Sequence, residues 1–394
     1  MSKIDELIAQ YCPNGVEFKE LREVCEIKTG QQVSKIEIQQ NPGRFPVINS
    51  GREPLGFINR YNTENDPIGI TTRGAGVGSI TWCEGKYFRG NLNYSATIKN
   101  SKLLDVRFLY HILINSQISI QKLATFNGIP ALNKSNLEKL TIPLPPLPVQ
   151  EEIVNILDKF TELEAELEAE LEARRKQYEY YRNQLLTPVE VDGKWLMNGV
   201  KVEWKTLGEI AYYPKDRISA NLVNKTNYVG VDNLLQNRQG KTLSSYVPST
   251  GNLIGFKEND ILIGNIRPYL KKIWLSDTNG GTNGDVVTVR IKEIYSNIYN
   301  PNFLYFLLSS DSFFDYDMQF AKGAKMPRGD KDAILKYKIP IPPLSEQERI
   351  VEILDKFDKL VNDISIGLPA EIEARRKQYE YYRGKLLNFK KVNE

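Results

Sequence analysis

The chain has 394 residues, 41% of them hydrophobic, and a formal net charge of +3. This length suits two domains of ordinary size, and no apolar run comes near the roughly 18 residues that a membrane-spanning helix needs. The segment Met1–Tyr11 lacks the apolar core of a signal peptide. Three widely spaced cysteines, an odd number, indicate a reducing compartment and argue against a zinc site.

Charge is distributed unevenly along the chain. The segment Glu151–Glu172 contains nine acidic residues and one lysine, so it carries −8, and the remainder carries +11 against the total of +3. A basic surplus of this kind favours binding to nucleic acid, although it also serves solubility alone. The charge by itself leaves both interpretations open.

The first residues predict a short amphipathic helix around Ile4, Leu7 and Ile8. After it, the run Val16–Val24 (VEFKELREV) returns in looser form as Val202–Ile210 (VEWKTLGEI). A segment that recurs at this distance indicates that a whole domain is duplicated.

Short β-branched and aromatic runs alternate with Asn/Gly-rich turns in both halves, a pattern typical of strands. The sequence predicts strands at Pro46–Asn49, Ile68–Thr72, Ser79–Trp82, Ser95–Ile98, Tyr228–Val231, Asp260–Ile263, Lys272–Leu275 and Val286–Ile291. A helix follows each set, opening at Phe108–Tyr110 in the first half and at Phe303–Phe306 in the second. We therefore predict an α+β fold in which each half holds a twisted, mostly antiparallel or mixed sheet.

One long segment is present twice, as Ile142–Leu186 and Ile339–Leu387. The two copies share the run IVxILDKF and the ten-residue run ARRKQYEYYR, which occupies Ala173–Arg182 and Ala374–Arg383. An identical decapeptide so far along the chain is strong support for internal duplication.

Each copy predicts a long helix after an extended, proline-rich entry, because proline cannot continue a helix or a central strand. The first helix is predicted to run from Glu151 to Leu186, about 54 Å. Apolar residues recur at heptad spacing, at Ile153, Ile156, Phe160, Leu163 and Leu167 and at Ile350, Ile353, Phe357, Leu360 and Ile364. Each helix thus has one apolar seam, and we predict that the seams pack on each other. The alternative is a solvated, charged linker helix.

The second long helix differs from the first. It is four residues longer between the shared LDKF and ARRKQ landmarks, and Gly367–Pro369 is expected to break or kink it, with Pro369 in the first turn of the later piece. The predicted plan has four parts: a domain with its N-terminal helix at 1–149, a central helix at 150–187, a second domain at 188–345 and a C-terminal helix at 346–394.

No constellation of residues predicts catalysis. His111, the one histidine, lies in the run FLYHILI and is expected at the edge of a helix core rather than as a base. No Cys/His set suits a metal or a nucleophile. Gly240–Thr242 imitates the end of a phosphate-binding loop, but Leu235 stands where that loop needs glycine. Asn300–Phe303 approaches an adenine methyltransferase motif without its second proline. We therefore predict a non-catalytic chain with no cofactor and no metal of its own.

Three pairs of polar and basic loops occupy matching places in the two halves. The pairs are the loop at Arg73 with the loop at Arg267, Arg89–Asn93 with Gly281–Gly284, and 127–134 with 322–329. Arginine can read guanine, asparagine can read adenine, and lysine and glycine-flanked amides suit phosphates. Taken singly, each loop also fits an ordinary surface turn. Together they predict the DNA-binding residues Arg73, Gly74, Arg89, Asn91, Asn93, Lys134, Arg267, Lys271, Lys272, Asn283, Lys325 and Arg328.

The runs IPLPPLPVQEEIVNILDKF and IPIPPLSEQERIVEILDKF, each following an α/β domain and opening a long helix, resemble the specificity subunit of type I restriction-modification systems. The resemblance covers essentially the whole chain. It implies two target-recognition domains related by a pseudo-twofold duplication, each reading one half of a split double-stranded DNA site. Two long antiparallel helices would form a coiled-coil spacer between them.

The same resemblance implies a prokaryotic, cytoplasmic protein that works within a complex. It would dock two adenine-N6 DNA methyltransferase subunits and, in the full enzyme, up to two restriction (translocase) subunits. S-adenosylmethionine and ATP are then expected on those partners, and the methylation and endonuclease activities belong to the complex.

The repeated decapeptide is the predicted dock for the methyltransferase subunits, because tyrosine and arginine are enriched at interface hot spots. Its predicted partner-binding residues are Arg174, Arg175, Tyr178, Tyr181, Arg375, Arg376, Tyr379 and Tyr382. Two pseudo-symmetric copies would accept two identical partners. The alternative is that the tyrosines close the helices against the domains.

A four-residue repeat, Leu163–Glu166, Leu167–Glu170 and Leu171–Arg174, consists of good helix formers. Each unit adds about 6 Å of helix and should lengthen the gap between half-sites by about one or two base pairs. The competing function is a non-catalytic scaffold or adaptor, in which two ligand-binding domains sit on a helical rod.

Overall fold

A computed structural model of the protein describes residues 2–51, 53–126, 128–363 and 365–392. Contacts divide the chain into two compact units. Unit 1 consists of Met1–Leu167 and Ile372–Glu394, and unit 2 of Glu168–Glu371. Both boundaries fall within helices, so each unit holds one domain together with parts of the long helical segments.

Thirteen α-helices lie in the described residues. They are α1 Lys3–Tyr11, α2 Leu21–Val24, α3 Lys35–Gln40, α4 Val106–Asn115, α5 Gln117–Lys122, α6 Lys134–Leu137, α7 Leu147–Leu186, α8 Leu207–Ile210, α9 Pro301–Leu308, α10 Asp311–Phe320, α11 Lys331–Lys336, α12 Leu344–Asn362 and α13 Leu368–Leu386. Three short 3-10 helices cover Ala220–Leu222, Pro268–Leu270 and Glu293–Tyr295.

The described residues also form 23 strands, most of them short. They are β1 Glu17–Glu20, β2 Cys25–Thr29, β3 Pro42–Ile48, β4 Phe57–Ile58, β5 Thr63–Glu64, β6 Ile68–Thr71, β7 Ile80–Trp82, β8 Lys86–Arg89, β9 Asn93–Ile98, β10 Thr141–Leu144, β11 Val189–Val191, β12 Lys194–Met197, β13 Val200–Lys201, β14 Glu203–Thr206, β15 Ala211–Tyr212, β16 Arg217–Ser219, β17 Tyr228–Val229, β18 Asn252–Phe256, β19 Ile261–Gly264, β20 Ile273–Leu275, β21 Gly280–Thr282, β22 Val286–Ile291 and β23 Lys338–Ile341. Every strand predicted from the sequence overlaps one of these, and the α+β fold is confirmed.

Two four-stranded sheets build the domain of unit 1. The first is antiparallel, with the order β2-β9-β6-β7. The second has the order β4-β3-β8-β5, and within it β3 and β8 run parallel, with Val47 opposite Phe88. The sequence predicted one mostly antiparallel or mixed sheet in this half, whereas the structure contains an antiparallel sheet and a separate mixed one.

The domain of unit 2 repeats this plan with one change. Its antiparallel sheet, β15-β22-β19-β20, corresponds strand for strand to the first sheet of unit 1. Its mixed sheet has the order β16-β18-β21-β17, with β17 and β21 parallel. Three strands of the mixed sheets correspond, but the outer fourth strand lies beside β3 in unit 1 and beside β18 in unit 2. The two domains therefore share a frame and differ at the edge of one sheet.

A two-stranded antiparallel ladder closes each domain. The repeated VEFK and VEWK segments form β1 and β14, which pair with the proline-rich strands β10 and β23. Pro143 lies opposite Phe18, and Pro340 lies opposite Trp204. Proline is tolerated because such a ladder has free edges on which no N–H is required.

The chain that follows each long helical segment adds to a domain. In unit 1 the Val16 N–H donates to the Lys390 carbonyl oxygen (2.8 Å), and the Val392 N–H donates to the Val16 carbonyl oxygen (3.0 Å). In unit 2 the segment after α7 forms β11, which pairs with β12, and the Val202 N–H donates to the Trp195 carbonyl oxygen (3.0 Å). Backbone pairing thus follows each long helical segment, directly with Val16 in unit 1 and through β12 in unit 2.

A fully buried glutamine joins each domain to the start of a long helix. In unit 1 the Gln150 Oε1 accepts from the Asp105 N–H (2.8 Å), while its Nε2 donates to the carbonyl oxygens of Leu103 (2.9 Å) and Pro145 (2.6 Å). One side chain therefore satisfies the N-cap residue of α4, the loop before it and the proline-rich entry. No feature of a single copy singles out this glutamine.

The second copy repeats this arrangement. In unit 2 the buried Gln347 Oε1 accepts from the Asn300 N–H (2.8 Å), and its Nε2 donates to the carbonyl oxygens of Ile298 (2.9 Å) and Pro342 (2.8 Å). Asn300 is the N-cap of α9, as Asp105 is of α4. The same amide geometry in two divergent copies indicates that these hydrogen bonds fix the angle between helix and domain.

The long helices begin earlier than the sequence predicted. Helix α7 starts at Leu147 rather than Glu151 and includes Pro148. Proline is compatible with the first turn because the first N–H groups of a helix have no partner within it. The proline-rich entry therefore reaches into the first turn of the helix, and α7 has 40 residues and spans about 60 Å.

The buried positions at the start of these helices belong to the domain cores. Ile153 and Leu157 are fully buried with the α4 side chains of unit 1, and Ile350 and Leu354 are fully buried with the α9 side chains of unit 2. The first turns of each long helix are therefore held by the adjoining domain and not by another long helix.

The heptad register differs by one residue from the predicted one. In α12 the side chain of Val361 is fully buried, whereas that of Leu360 is 37% exposed. With Ile350, Leu354 and the half-buried Phe357, the buried positions follow a 4-3-4 spacing instead of 3-4-3. The prediction for Leu360 was wrong, and Ile364 lies outside the described residues.

In unit 1 the long helices pack through aromatic residues. Phe160 of α7 stacks on Tyr382 of α13, with ring centroids 5.5 Å apart, and lies 6.4 Å from the ring of Tyr379. The Arg376 Nε lies 2.5 Å from the Glu164 Oε1. Contacts that advance along α7 while receding along α13 define an antiparallel pair.

Unit 2 contains the reciprocal pair. Phe357 of α12 stacks on Tyr178 and Tyr181 of α7, at centroid distances of 6.2 and 5.6 Å. The LDKF run of each copy therefore packs on the ARRKQYEYYR run of the other copy. The predicted packing of the two helical seams is confirmed.

The break in the second helical segment is also confirmed. Helix α12 ends at Asn362, α13 begins at Leu368, and Pro369 is its second residue. The Asp363 Oδ1 accepts the Ser365 N–H (2.7 Å) and so organises the turn. A Cβ on Gly367 would lie 2.4 Å from a backbone carbonyl oxygen of α12, so this position requires glycine.

We predict that Gln150→Ala lowers the free energy of unfolding by about 3 kcal/mol, because it leaves buried backbone donors and acceptors without partners. Urea denaturation followed by circular dichroism measures the effect. Asn155→Ala, an exposed change on the same helix, should cost less than about 0.5 kcal/mol. Equal small losses for the two variants would contradict a fixing role for Gln150.

Candidate functional site

Two of the predicted loops come together in unit 1. The Gly74 N–H donates to the Pro130 carbonyl oxygen (2.9 Å), and the Leu132 N–H donates to the Thr72 carbonyl oxygen (2.8 Å). These bonds join the end of β6 to the loop that precedes the long helix. Arg73, which lies between them, is exposed.

Unit 2 joins the equivalent loops in the same way. The Arg267 N–H donates to the Pro327 carbonyl oxygen (2.7 Å), and the Gly329 N–H donates to the Asn265 carbonyl oxygen (3.1 Å). Arg328 lies in this bridge and is exposed. Two predicted loops, far apart in sequence, therefore form one paired surface in each domain.

The paired backbones correct the predicted equivalence of Arg73 and Arg267 by one residue. Arg73 matches Ile266, and Arg267 matches Gly74. The N–H groups of Gly74 and Arg267 each donate to the carbonyl oxygen of a proline in the facing loop. Gly74 has φ +92° and Arg267 has φ +56°. Arg267 thus adopts a left-handed conformation that L residues other than asparagine and aspartate rarely adopt, a feature that clusters at functional sites.

Two of the predicted DNA-binding side chains are internal. Arg89 is only 3% exposed, and its Nη1 donates to the Asn93 Oδ1 (2.7 Å) and to the carbonyl oxygens of Ile68 (2.9 Å) and Tyr94 (2.9 Å). Asn93 is fully buried. Burial lowers the pKa of Arg89. These two side chains support the domain and are not available at its surface for contact with DNA.

Three further predicted side chains already have partners within unit 2. The Lys271 Nζ lies 2.5 Å from the Asp311 Oδ1, and the Lys272 Nζ donates to the Val231 carbonyl oxygen (2.6 Å). Burial lowers the pKa of Lys272. The Asn283 Oδ1 accepts a backbone N–H two residues further on (3.1 Å). These contacts shape the loops and leave less of each side chain for a ligand.

The remaining predicted positions are accessible. They are Arg73, Gly74, Asn91 and Lys134 in unit 1 and Arg267, Lys325 and Arg328 in unit 2. The Lys134 Nζ lies 3.6 Å from the Glu138 Oε1 just after its helix, and Arg328 lies 3.0 Å from the Asp285 Oδ1. Exposed pairs of this kind contribute little and exchange readily for a phosphate partner. Asn127 lies outside the described residues.

The predicted partner-binding tyrosines serve mainly to pack the helices. Tyr178 is 8% exposed and donates to the Asp358 Oδ1 (3.4 Å). Tyr379 is half-buried, and its hydroxyl lies 3.3 Å from the His111 Nδ1. Tyr181 and Tyr382 stack on the phenylalanines of the LDKF runs, with 37% and 40% exposure. Tyr379 thus contacts a domain helix, whereas Tyr178 contacts the other helical segment, and partner binding by these tyrosines stays a prediction.

Two arginines of the decapeptides make contacts within their own helix. The Arg174 Nε donates to the Glu170 Oε1 (2.8 Å), and the Arg375 Nη1 donates to the Gln378 Oε1 (3.1 Å). Arg376 pairs with Glu164 in unit 1, and Arg175 is exposed in unit 2.

The most exposed tyrosines of the two decapeptides are ones that the sequence did not single out. Tyr180 is 63% exposed and Tyr381 is 64% exposed, each edge-to-face against the next tyrosine. The composition of a decapeptide does not distinguish which of its three tyrosines is exposed. Only the register against the LDKF phenylalanine decides which of them faces outward.

The single histidine is buried in unit 1 and does not lie at the edge of a helix core, where the sequence placed it. His111 is fully buried, with its Nε2 2.8 Å from the Asp158 Oδ1, and Arg107 pairs with the same carboxylate at 2.9 Å. In the part of the chain that the structure describes, no group of three or more His, Cys, Asp or Glu side chains could hold a metal ion. No described helix has the length and apolarity to cross a membrane.

Comparison with known proteins identifies the family. The model of the type I restriction modification DNA specificity domain matches residues 13–173 and again 200–374, one match for each repeat. The chain belongs to this family. Its two repeats are two copies of the specificity domain, and each match includes the start of a long helix.

Two relatives show how far the likeness extends. The chain is 34% identical over 407 aligned positions to a putative type I restriction enzyme specificity subunit of Haemophilus influenzae, covering 95% of this chain and 96% of the relative. It is 38% identical over 271 positions to the specificity subunit of an Escherichia coli type I restriction enzyme, and this match spans 64% of each protein.

Solved structures share the fold of this specificity-domain chain. A type I restriction-modification S subunit from M. genitalium superposes with a TM-score of 0.59 at 18% identity, covering 95% of this chain and 96% of the other. A chain from a study of complex assembly and conformational transition of the type I system gives 0.61 at 15% identity, covering 95% and 98%.

We predict that His111→Phe, which installs the residue found at the matching position Phe306, removes a pH dependence of stability. Burial lowers the pKa of His111 below its ordinary 6.5, although Asp158 opposes this shift and Arg107 adds to it. The unfolded chain therefore binds the proton first, and stability should fall as the pH drops below about 6.5.

The urea concentration at the midpoint of unfolding, measured for the wild type and for His111→Phe between about pH 7.5 and about pH 5, tests this prediction. Burial raises the pKa of Asp317 to about 6, which gives the opposite dependence, but it does so in both proteins and cancels in the difference. Parallel curves for the wild type and the variant would contradict the role assigned to His111.

Proposed function

We propose that the chain is the non-catalytic DNA-reading subunit of a type I restriction-modification complex, with each domain reading one half of a split double-stranded site. The paired loops carry this proposal, because both domains present the same backbone frame with exposed cations at its rim. Arginine at such a rim suits guanine edges or phosphates, and the left-handed Arg267 points to a loop shaped for contact.

The surface proposed for DNA consists of the accessible residues Arg73, Gly74, Asn91, Lys134, Arg267, Lys325 and Arg328. The mixed sheets of the two domains differ in the position of their outer strand, so equivalent loops have different neighbouring strands. This difference supports the proposal that the two domains read different half-sites. The net charge of +11 outside the acidic segment supplies the sequence-independent part of the affinity.

The proposed partners are two adenine-N6 DNA methyltransferase subunits and up to two restriction subunits, which would carry S-adenosylmethionine and ATP. We assign the docking surface to the outward tyrosines of the two decapeptides, Tyr180 with Tyr181 and Tyr381 with Tyr382. Tyrosine contributes large contact areas at interfaces, and two equivalent sites suit two identical partners. Binding to DNA and to these enzymes assigns the protein to the cytoplasm of a prokaryote.

The competing function is a protein scaffold whose domains bind ligands other than DNA. Its support is that many of the cations already have partners within the chain. The two functions differ in their response to salt and to DNA sequence.

Binding of a labelled duplex by the chain together with methyltransferase subunits tests the proposed function. We expect affinity that depends on the DNA sequence and falls steeply with salt, because cation–phosphate contacts release counterions. A random duplex of the same length is the control. Equal binding to both duplexes, or none to either, would support the scaffold.

We predict that deleting Leu167–Glu170 shortens the spacer between the half-sites and leaves the half-sites unchanged, because about 6 Å of helix is removed outside both domains. Mapping methylated adenines in cells that carry the variant measures both quantities. Glu166→Gln, which removes a charge without changing the helix length, should keep the parental spacer. Altered half-site sequences in the deletion variant would contradict independent reading by the domains.

A further inference from the structure

A cavity of about 390 Å³ opens inside unit 2, between the helical segments and the domain. Helix α7 contributes Arg175 and Arg182, the loop before β18 contributes Arg238, and the turn after the 3-10 helix Pro268–Leu270 contributes Lys271. Four cations thus face one space, and a space of this size has room for a small anion with its waters.

The most informative residue in the cavity is Arg182. Its side chain is only 3% exposed, and its Nε and Nη2 atoms have no hydrogen-bond partner. These two atoms form one edge of the guanidinium, the edge that binds two oxygens of a phosphate or carboxylate in parallel. A buried guanidinium edge without an acceptor is costly, and Arg182 lines the cavity, which indicates that an acceptor is missing beside it.

The carboxylate nearest to Arg182 is already engaged. The Asp311 Oδ2 lies 3.8 Å from the Arg182 Nη2, too far for a hydrogen bond, while Oδ1 pairs with Arg238 and with Lys271. Burial acts to raise the pKa of Asp311, but the hydrogen bond from Lys271 and the charge of Arg238 outweigh it and lower the pKa.

Positive charge in the cavity is incompletely neutralised. Beside the four cations, the lining includes three carboxylates, those of Glu179, Asp311 and Asp358. Burial raises the pKa of Asp358, and burial together with the neighbouring charge of Arg182 lowers the pKa of Arg238. A ligand with one negative charge would balance the set.

The backbone that carries two of these cations is held in an unusual conformation. Asn237, Arg238 and Lys271 all have left-handed backbones, with φ of +53°, +65° and +50°. The Arg238 N–H donates to the Lys271 carbonyl oxygen (2.9 Å), so the two turns brace each other. Left-handed backbones of this kind persist where the surrounding structure holds them, and they cluster at ligand-binding sites.

We propose that this cavity binds an oxyanion of the phosphate class, with the Nε–Nη2 edge of Arg182 as its bidentate contact. Arg175 and Lys271 complete the site from the two rims. The ligand is either a phosphodiester of the DNA backbone or free inorganic phosphate. The site goes beyond base reading by the loops and does not depend on it.

Thermal unfolding of the full chain in increasing inorganic phosphate, against sodium chloride of the same ionic strength, tests the site. We expect Tm to rise in a saturable way with phosphate only. Arg182→Met should weaken the apparent affinity about tenfold or more, as expected for the loss of charge-assisted hydrogen bonds. Arg383→Met changes the matching arginine of the other copy, which lies in unit 1, and should leave the response unchanged.

Arg175→Gln is a second variant, because Arg175 is exposed and its substitution should not impair folding. It should also weaken the response to phosphate. Equal effects of phosphate and chloride on the wild type, or an unchanged response in both Arg182→Met and Arg175→Gln, would overturn the proposal.

DNA binding separates the two sources of the anion. If a backbone phosphodiester occupies the cavity, Arg182→Met lowers the slope of log affinity against log salt by about one and phosphate competes with DNA. If the slope is unchanged while the phosphate response is lost, the ligand is free phosphate. If phosphate has no effect but Arg182→Met abolishes methyltransferase binding, the acceptor is a partner carboxylate and the proposal is wrong. Failure of DNA reading alone leaves the phosphate experiment intact.

Discussion

The structure depends on two buried amides. Gln150 and Gln347 each bind the N-cap residue of a domain helix, the loop before it and the proline-rich entry of a long helix. A hydrophobic contact in this place would allow sliding, because apolar packing has no preferred direction. Three directed hydrogen bonds allow very little sliding, so the first turn of each long helix is held rigidly against a domain. A change in helix length beyond that turn is therefore transmitted as a displacement and is not absorbed where helix and domain join.

The second constraint is the reciprocal packing of the two copies. Phe160 contacts the second decapeptide and Phe357 contacts the first, so neither copy can complete its own helical seam. Duplication in this chain thus produces obligatory pairing, as a twofold dimer interface would if its subunits were joined in one chain. This pairing explains why the decapeptide and the LDKF run stay nearly identical while the domains between them have diverged. Substitution in either run would have to be matched on the other helix.

Much of this organisation could be predicted from the sequence, and the failures have physical causes. The strands, the duplicated plan and the break at Gly367 followed from turn chemistry and repetition, which are local signals. The heptad register was wrong at Leu360 because 3-4 and 4-3 spacings share most of their positions and only the neighbouring domain decides between them. Arg89 was misassigned because the sequence shows a basic loop but not the carbonyl groups of Ile68 and Tyr94, which surround the guanidinium. Gln150 and the cavity at Arg182 depend on contacts between distant segments, which leave no pattern in a single chain.

The match between Gly74 and Arg267 shows how the same loop backbone can carry different side chains in the two domains. Both positions need a left-handed backbone to bring the strand end against the facing proline loop, and glycine meets that need without strain. Arginine meets it only at a conformational cost, so its presence in unit 2 requires a compensating gain. Within the domain, the pairing of the facing loops holds the conformation, and the exposed guanidinium is the part left for a ligand. If the loops read DNA, the gain is the Arg267 side chain, which places a cation where unit 1 has only the backbone of Gly74. The two domains then prefer different DNA sequences although their fold is the same.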